Sequence, residues 1–124
     1  MTRDEMLRLP CIYLAAPNGA GVMLGLKTSI TQTHPIKKGA LLAVYQEPHP
    51  YGREQARYTE AWRRLSSAAH AKGHESLLHV PGARALIQGR GHLGVVRVAA
   101  CQRRGDQYVI TLAEPVRLPE REAA

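Results

Sequence analysis

This sequence predicts a small mixed β-barrel capped by a helix, an α+β domain that is mainly β. Three observations carry that expectation. Five or six short segments rich in strand formers are separated by glycine, proline and basic turns. One clear segment, 53–72, repeats its apolar residues with the period of a helix. The chain has 124 residues, enough to bury one core without staples and too few for two domains. It therefore reads as a single domain over 1–124, with 1–9 and 120–124 as peripheral ends.

The elements follow in order. Met1 to Leu9 is charged and reads as a helical turn or a frayed end. Pro10 opens an apolar run, Cys11 to Ala16. Proline is tolerated at the first position of a strand, where its missing N–H is not needed. Pro17-Asn18-Gly19 is a turn signal. Gly21 to Leu26 predicts a short helix carrying Val22, Met23 and Leu26 inward, with Gly25 as a tight exit that leaves Lys27 at its end. Ser29 to His34 alternates weakly, as a strand does, and Pro35 to Gly39 is a basic turn. Ala40 to Gln46 is almost unbrokenly apolar, the pattern of a strand covered on both faces.

Glu47 to Gly52 holds two prolines and reads as a rigid connector. The helix of 53–72 places Ala56, Tyr58, Ala61, Trp62, Leu65, Ala68 and Ala69 on its apolar stripe. Trp62 is the expected anchor to the barrel. Lys72 suits the helix dipole, and Gly73 stands where a C′ residue ends a helix. From Gly73 to Arg84 the pattern stays open, apart from a turn at Pro81-Gly82. Ala85 to Gln88 reads as a short strand and Gly89 to His92 as a glycine-rich loop. Leu93 to Cys101 and Tyr108 to Ala113 form a hairpin through the basic turn Arg103–Asp106. Pro115 to Pro119 is a last extended piece.

A net charge of +7 and a pI near 9.9 point to polyanions, because Lys and Arg neutralise phosphates and release their counterions. Cys11 and Cys101 stand 90 residues apart in apolar segments, as two buried thiols of a reducing cytoplasm would. No Cys-x-x-Cys or His-Glu-x-x-His spacing supports a metal site. Histidines 70 and 74 have helical spacing, but Gly73 interrupts it. Gly89-Arg90-Gly91 is followed by a strand, where the dinucleotide fingerprint needs a helix, so no cofactor is expected. Neither a signal-peptide pattern nor an apolar run of membrane-spanning length is present, so a cytoplasmic protein without a membrane partner is expected.

One further pattern joins these elements. Gly25-Leu26-Lys27-Thr28 precedes Pro35-Ile36-Lys37-Lys38-Gly39 and the run Ala40–Tyr45, and a helix, the strand from Gly94 to Cys101 and the strand from Tyr108 to Ala113 follow. The order resembles the ASCH family of the PUA-like superfamily, small β-barrels generally linked to RNA. The family's Gly-x-Lys-x-x-Glu-x-Arg places Gly25 and Lys27 here, with Ile30 where the acid would stand and Gln32 where the arginine would. The resemblance implies that Lys27 lines a cleft between the first short helix and the sheet. The family's small amidohydrolases read Gly-x-Lys-Thr-x-Thr-x-Arg, which Lys27 and Thr28 match, with Glu75 as the candidate for the distal glutamate.

Two functions from different classes follow. The first is an RNA-binding module. Lys27 and the strand bearing Thr31, Thr33 and His34 would face a cleft, and Lys37, Lys38, Arg90, Arg103 and Arg104 would hold phosphates. That polar strand also fits a plain exposed edge. The second is a hydrolase acting on a modified nucleoside or RNA through Lys27, Thr28 and Glu75. Ile30 and Gln32 count against it, because they remove the two ionisable groups the pattern places beside Lys27. The helix alone would serve a protein-interaction domain. Its charges, Arg57, Glu60, Arg63 and Arg64 among them, read as a solvated outer face.

Overall fold

The computed structural model describes residues 1–48 and 55–119. Most of the expected connector, the expected helix start at Arg53 and the residues from Glu120 onward lie outside the described residues. Within them ten segments follow one another: α1 (Arg3–Leu7), β1 (Cys11–Ala15), α2 (Asn18–Met23), β2 (Ser29–Gln32), β3 (Leu41–Glu47), α3 (Gln55–Ala71), a 3-10 turn (Leu77–His79), α4 (Ala83–Gln88), β4 (Gly91–Arg104) and β5 (Gln107–Arg117). The strands form one five-stranded sheet in the order β1-β3-β4-β5-β2. β1 pairs parallel with β3, and the other neighbours are antiparallel. The architecture is mixed α+β, with one long helix and a strongly curled half-barrel sheet.

The curl has a local cause. β4 slips register against β5 between Val95 and Arg97 and again between Val98 and Ala100. Such irregularities bend and twist a strand. The closing sheet wraps α2, which touches β1, β3, β4 and β5. α2 can sit there because Gly19 to Met23 is small or apolar on every side and wholly buried. Around it lies an aliphatic core that includes Ile12, Val44, Val96, Val98, Ile110 and Leu112. On the other face of the sheet α1 contributes the buried Met6. Thr2 and Glu5 cap α1 reciprocally, Thr2 Oγ1 accepting the Glu5 N–H and Glu5 Oε1 accepting the Thr2 N–H.

Several expectations are corrected. Ala85–Gln88 is helical, not a strand: Ala83 and Leu86, three apart, are the buried residues of α4. The second helix begins at Asn18, not Gly21, so the expected turn is its first part. Gly91 and His92 belong to β4 rather than to a loop. β2 stops at Gln32, which leaves Thr33 and His34 beyond the strand. β5 runs on through Pro115 to Arg117 and joins two pieces expected to be separate. Both cysteines are free but only half-buried.

The end of α3 is as expected. The Gly73 N–H donates to the His70 carbonyl at 2.9 Å and the His74 N–H to the Ala69 carbonyl at 3.0 Å, a Schellman ending. Trp62 is not the anchor. It is half-buried and stacks on Tyr58, with ring centroids 6.1 Å apart. Leu65 and Ala69 are the buried residues of α3.

Candidate nucleic-acid interface

Lys27 is positioned through α2. The Gly21 carbonyl accepts the N–H groups of both Leu26 (2.9 Å) and Lys27 (3.0 Å), which folds the chain back at the helix end. Gly25 makes this possible at φ +73°, a left-handed conformation that side chains resist. The helix is held from two directions. From β3, the fully buried Gln46 accepts the Ala20 N–H on Oε1 at 2.8 Å. Its Nε2 donates to the carbonyls of Leu86 and Gly89, each at 2.8 Å, and so ties α4 to the same point. From α3, Leu65 lies on Gly21, where any Cβ would overlap the leucine methyl groups. Lys72 adds a tie by donating to the Gly25 carbonyl at 2.9 Å.

Where α3 meets the α2–β2 connection, a cavity of about 480 Å³ opens. Asn18, Leu26, Lys27, Thr28, Ser29, Arg57, Glu60, Ala61, Arg64 and Leu65 line it. A second cavity, about 280 Å³, shares Asn18 and Arg57 with the first and adds Tyr13, Glu47 and Tyr58. A third, about 240 Å³, shares Tyr58 and Ala16 with the second and reaches Arg90. The three form a chain of concavities from Lys27 to Arg90.

Lys27 is half-buried. Its pKa is held below the ordinary lysine value, first by burial and second by the Arg64 guanidinium. Among the described residues, none hydrogen-bonds or ion-pairs with its ammonium. Glu60, the carboxylate of this cavity, is engaged by Arg64 at 2.6 Å. Burial also pushes the Tyr58 phenol pKa up. The wall therefore presents three cations and one carboxylate, with that carboxylate already paired.

The expected site residues are spread along the sheet. Thr28 lies beside Leu112, which pairs with Val98, so Lys27 and Thr28 stand beside the middle of β4 and β5, while Arg90 precedes the first residue of β4. Thr33, His34, Arg103 and Arg104 stand where β2 and β4 finish, while the turn bearing Lys37 and Lys38 is level with Thr28, because Gly39 and Ala40 bond to that same Val98. That turn is pinned to β4 by the Gly39 N–H on the Val98 carbonyl (2.8 Å) and by Arg97 on the Gly39 carbonyl (3.1 Å). The cleft lysine is thus level with the Lys37–Lys38 turn, across the β4–β5 pair, and Arg103 and Arg104 lie beyond both at the hairpin end. Thr31 is exposed in mid-strand, on the face opposite the buried Ile30. Glu75 lies outside the cavity, with its carboxylate 3.6 Å from His79 Nε2.

Asn18, Arg57, Glu60 and Arg64 are the lining residues that the sequence reading did not place. The signal was present for α3. Positions 57, 61, 64 and 65 recur at the spacing of one helix face, so the polar members flank the seam that Leu65 buries. Among the described residues, no group of three His, Cys, Asp or Glu side chains converges as a metal site. Nor is any helix among them long and apolar enough to cross a membrane. Neither a protein-family model nor a curated protein matches the chain, which leaves the mixed half-barrel fold and this basic cleft as its distinguishing features.

Proposed function

We propose that this domain is a PUA-like, ASCH-type RNA-binding module whose Lys27 cleft receives a phosphate together with its neighbouring base. One observation carries the reading. Lys27 is a half-buried ammonium without a described partner, in a cavity it shares with Arg57 and Arg64. Desolvating a cation beside other cations is unfavourable, and an anion offsets that cost. Asn18, Thr28 and Ser29 supply hydrogen-bonding groups for a base or ribose on the same wall. The net charge of +7 and the further basic groups in the Lys37–Lys38 and Arg103–Arg104 turns suit a polyanion longer than the cleft. The test is fluorescence anisotropy with short labelled RNAs at low salt. Tight binding that Lys27→Ala weakens is expected; no binding by the wild type would overturn the reading.

A hydrolase is the second reading, favoured by Lys27, Thr28 and Glu60 lining one cavity. Glu60, not Glu75, would then be the acid. Against it, Glu60 is held by Arg64, and the core residue Ile30 fills the position of the family's nearer acid. Incubation with N-acylated cytidine separates the two readings. Turnover lost in Glu60→Gln would promote the hydrolase.

A further inference from the structure

The outer face of the sheet carries an aromatic ladder. Ile12, Val44 and Gln46 point into the core, so their neighbours Tyr13 and Tyr45 point outward. Register sets Tyr13 opposite Tyr45 on the parallel pair, and Tyr45 opposite His92 on the antiparallel one. The ring centroids follow at 5.2 Å and 5.3 Å. His92 is steadied by Cys11, whose Sγ lies 3.3 Å from Nε2. Cross-strand aromatic pairs stabilise sheets on their own account. That explains Tyr45 and His92, which are half-buried, but not Tyr13, which leaves 64% of its surface in water.

Tyr13 also joins this face to the cleft. It lines the second cavity beside Asn18 and Arg57, and both of those residues line the Lys27 cavity as well. The acid of that second cavity, Glu47, is outnumbered along the path by Lys27 and Arg57. Arg90 stands two residues before His92 and lines the third cavity, which shares Ala16 and Tyr58 with the cavity of Tyr13. Cations along the adjoining cavities and an exposed aromatic ring beside them match the chemistry of single-stranded nucleic acid, with charges for phosphates and ring faces for bases.

We propose that single-stranded RNA leaves the Lys27 cleft past Arg57, crosses the edge strand β1, and stacks a base on Tyr13, with Tyr45 and His92 backing that ring. The proposal rests on the RNA-binding reading. Because every base has a π-face, the contact is indifferent to sequence.

The experiment compares wild type, Tyr13→Ala, Tyr13→Phe and Lys27→Ala in anisotropy titrations with labelled oligouridine and oligoadenosine across a salt series. Thermal melts verify that each variant is folded; Tyr13 is exposed enough to be replaced without harm to the core. Tyr13→Ala is expected to weaken both RNAs by about five- to a hundredfold, the range for loss of one stacked base. Its salt dependence stays that of the wild type, since no phosphate contact is lost, and Tyr13→Phe restores the affinity. If Tyr13→Ala binds like the wild type while Lys27→Ala binds weakly, the platform is wrong and the cleft reading stands. Wild type without RNA affinity overturns both. A wild-type dimer that Tyr13→Ala converts to monomer, with RNA affinity unchanged, would give the ring to a second copy of the chain and overturn the proposal.

Discussion

Replacing Gln46 with leucine tests how the cleft is built. The side chain is fully buried and makes three bonds of 2.8 Å, to the Ala20 N–H and to the carbonyls of Leu86 and Gly89. Leucine fills much of the same space and makes none of them. The Leu86 carbonyl keeps the Gly89 N–H at 3.1 Å, so it is not orphaned. The Ala20 N–H and the Gly89 carbonyl are the groups stranded. Ala20 is the third residue of α2, within the first turn, where helical N–H groups have no partner inside the helix. The buried Ala20 N–H costs about 1–3 kcal/mol and the half-buried Gly89 carbonyl, which water can reach, adds less, so the loss is about 1–3 kcal/mol or somewhat more before the added apolar burial offsets part of it. A domain of this size has about 5–15 kcal/mol in total, so the midpoint of urea unfolding falls visibly. Because Gln46 holds α2, and α2 holds Lys27, RNA affinity should fall along with stability. A loss below about 1 kcal/mol would refute the reasoning, for it would mean that the buried amide is not what fixes α2.

Two other predictions concern α3 and Lys27. Leu65→Ala should cost about 2–5 kcal/mol in urea unfolding, and more than Trp62→Ala, because Leu65 is buried against Gly21 while Trp62 is half-exposed; the reverse ranking would restore Trp62 as the anchor. Lys27 has a folded pKa below 10.5, so the folded protein sheds that proton before the unfolded chain does, and stability rises with pH through the interval below 10.5. Lys27→Met should therefore melt higher than wild type near neutral pH, with the gap narrowing as pH climbs past that interval; a gap independent of pH would contradict the burial of the charge.

The elements set by hydrophobic period were readable in the sequence. The expected strand is β3, Leu41–Glu47, with Leu42, Val44 and Gln46 buried where α2 packs on its inner face and Tyr45 only half-buried on the outer one. The α3 stripe and its Gly73 ending follow from local rules alone. Short segments were less readable. Ala85 to Gln88 is too brief for period to decide, and tertiary contacts of Ala83 and Leu86 settle it as helix. Asn18 to Met23 reads as turn and helix in parts, because its glycines serve close packing against Gln46 and Leu65, which are distant in sequence. At the site, Lys27 and Thr28 line one cavity, against α3. Arg57, Glu60 and Arg64 are exposed, as the solvated helix face expected of them is, but the sequence does not show that this edge of α3 also borders a cleft. Lys37 and Arg103 read only as basic turns, and it is register that sets the Lys37–Lys38 turn level with Thr28 and Arg103 nearer the β4–β5 hairpin end.

The central claim is that the Lys27 ammonium receives a phosphate of bound RNA. Its most direct test is the slope of log affinity against log salt for a single-stranded RNA, measured for wild type and Lys27→Ala. Removing one phosphate contact should lower affinity and reduce the magnitude of that slope by about 0.7. Superimposable lines for the two proteins would contradict the claim, because a cation that binds phosphate cannot be removed without releasing fewer counterions.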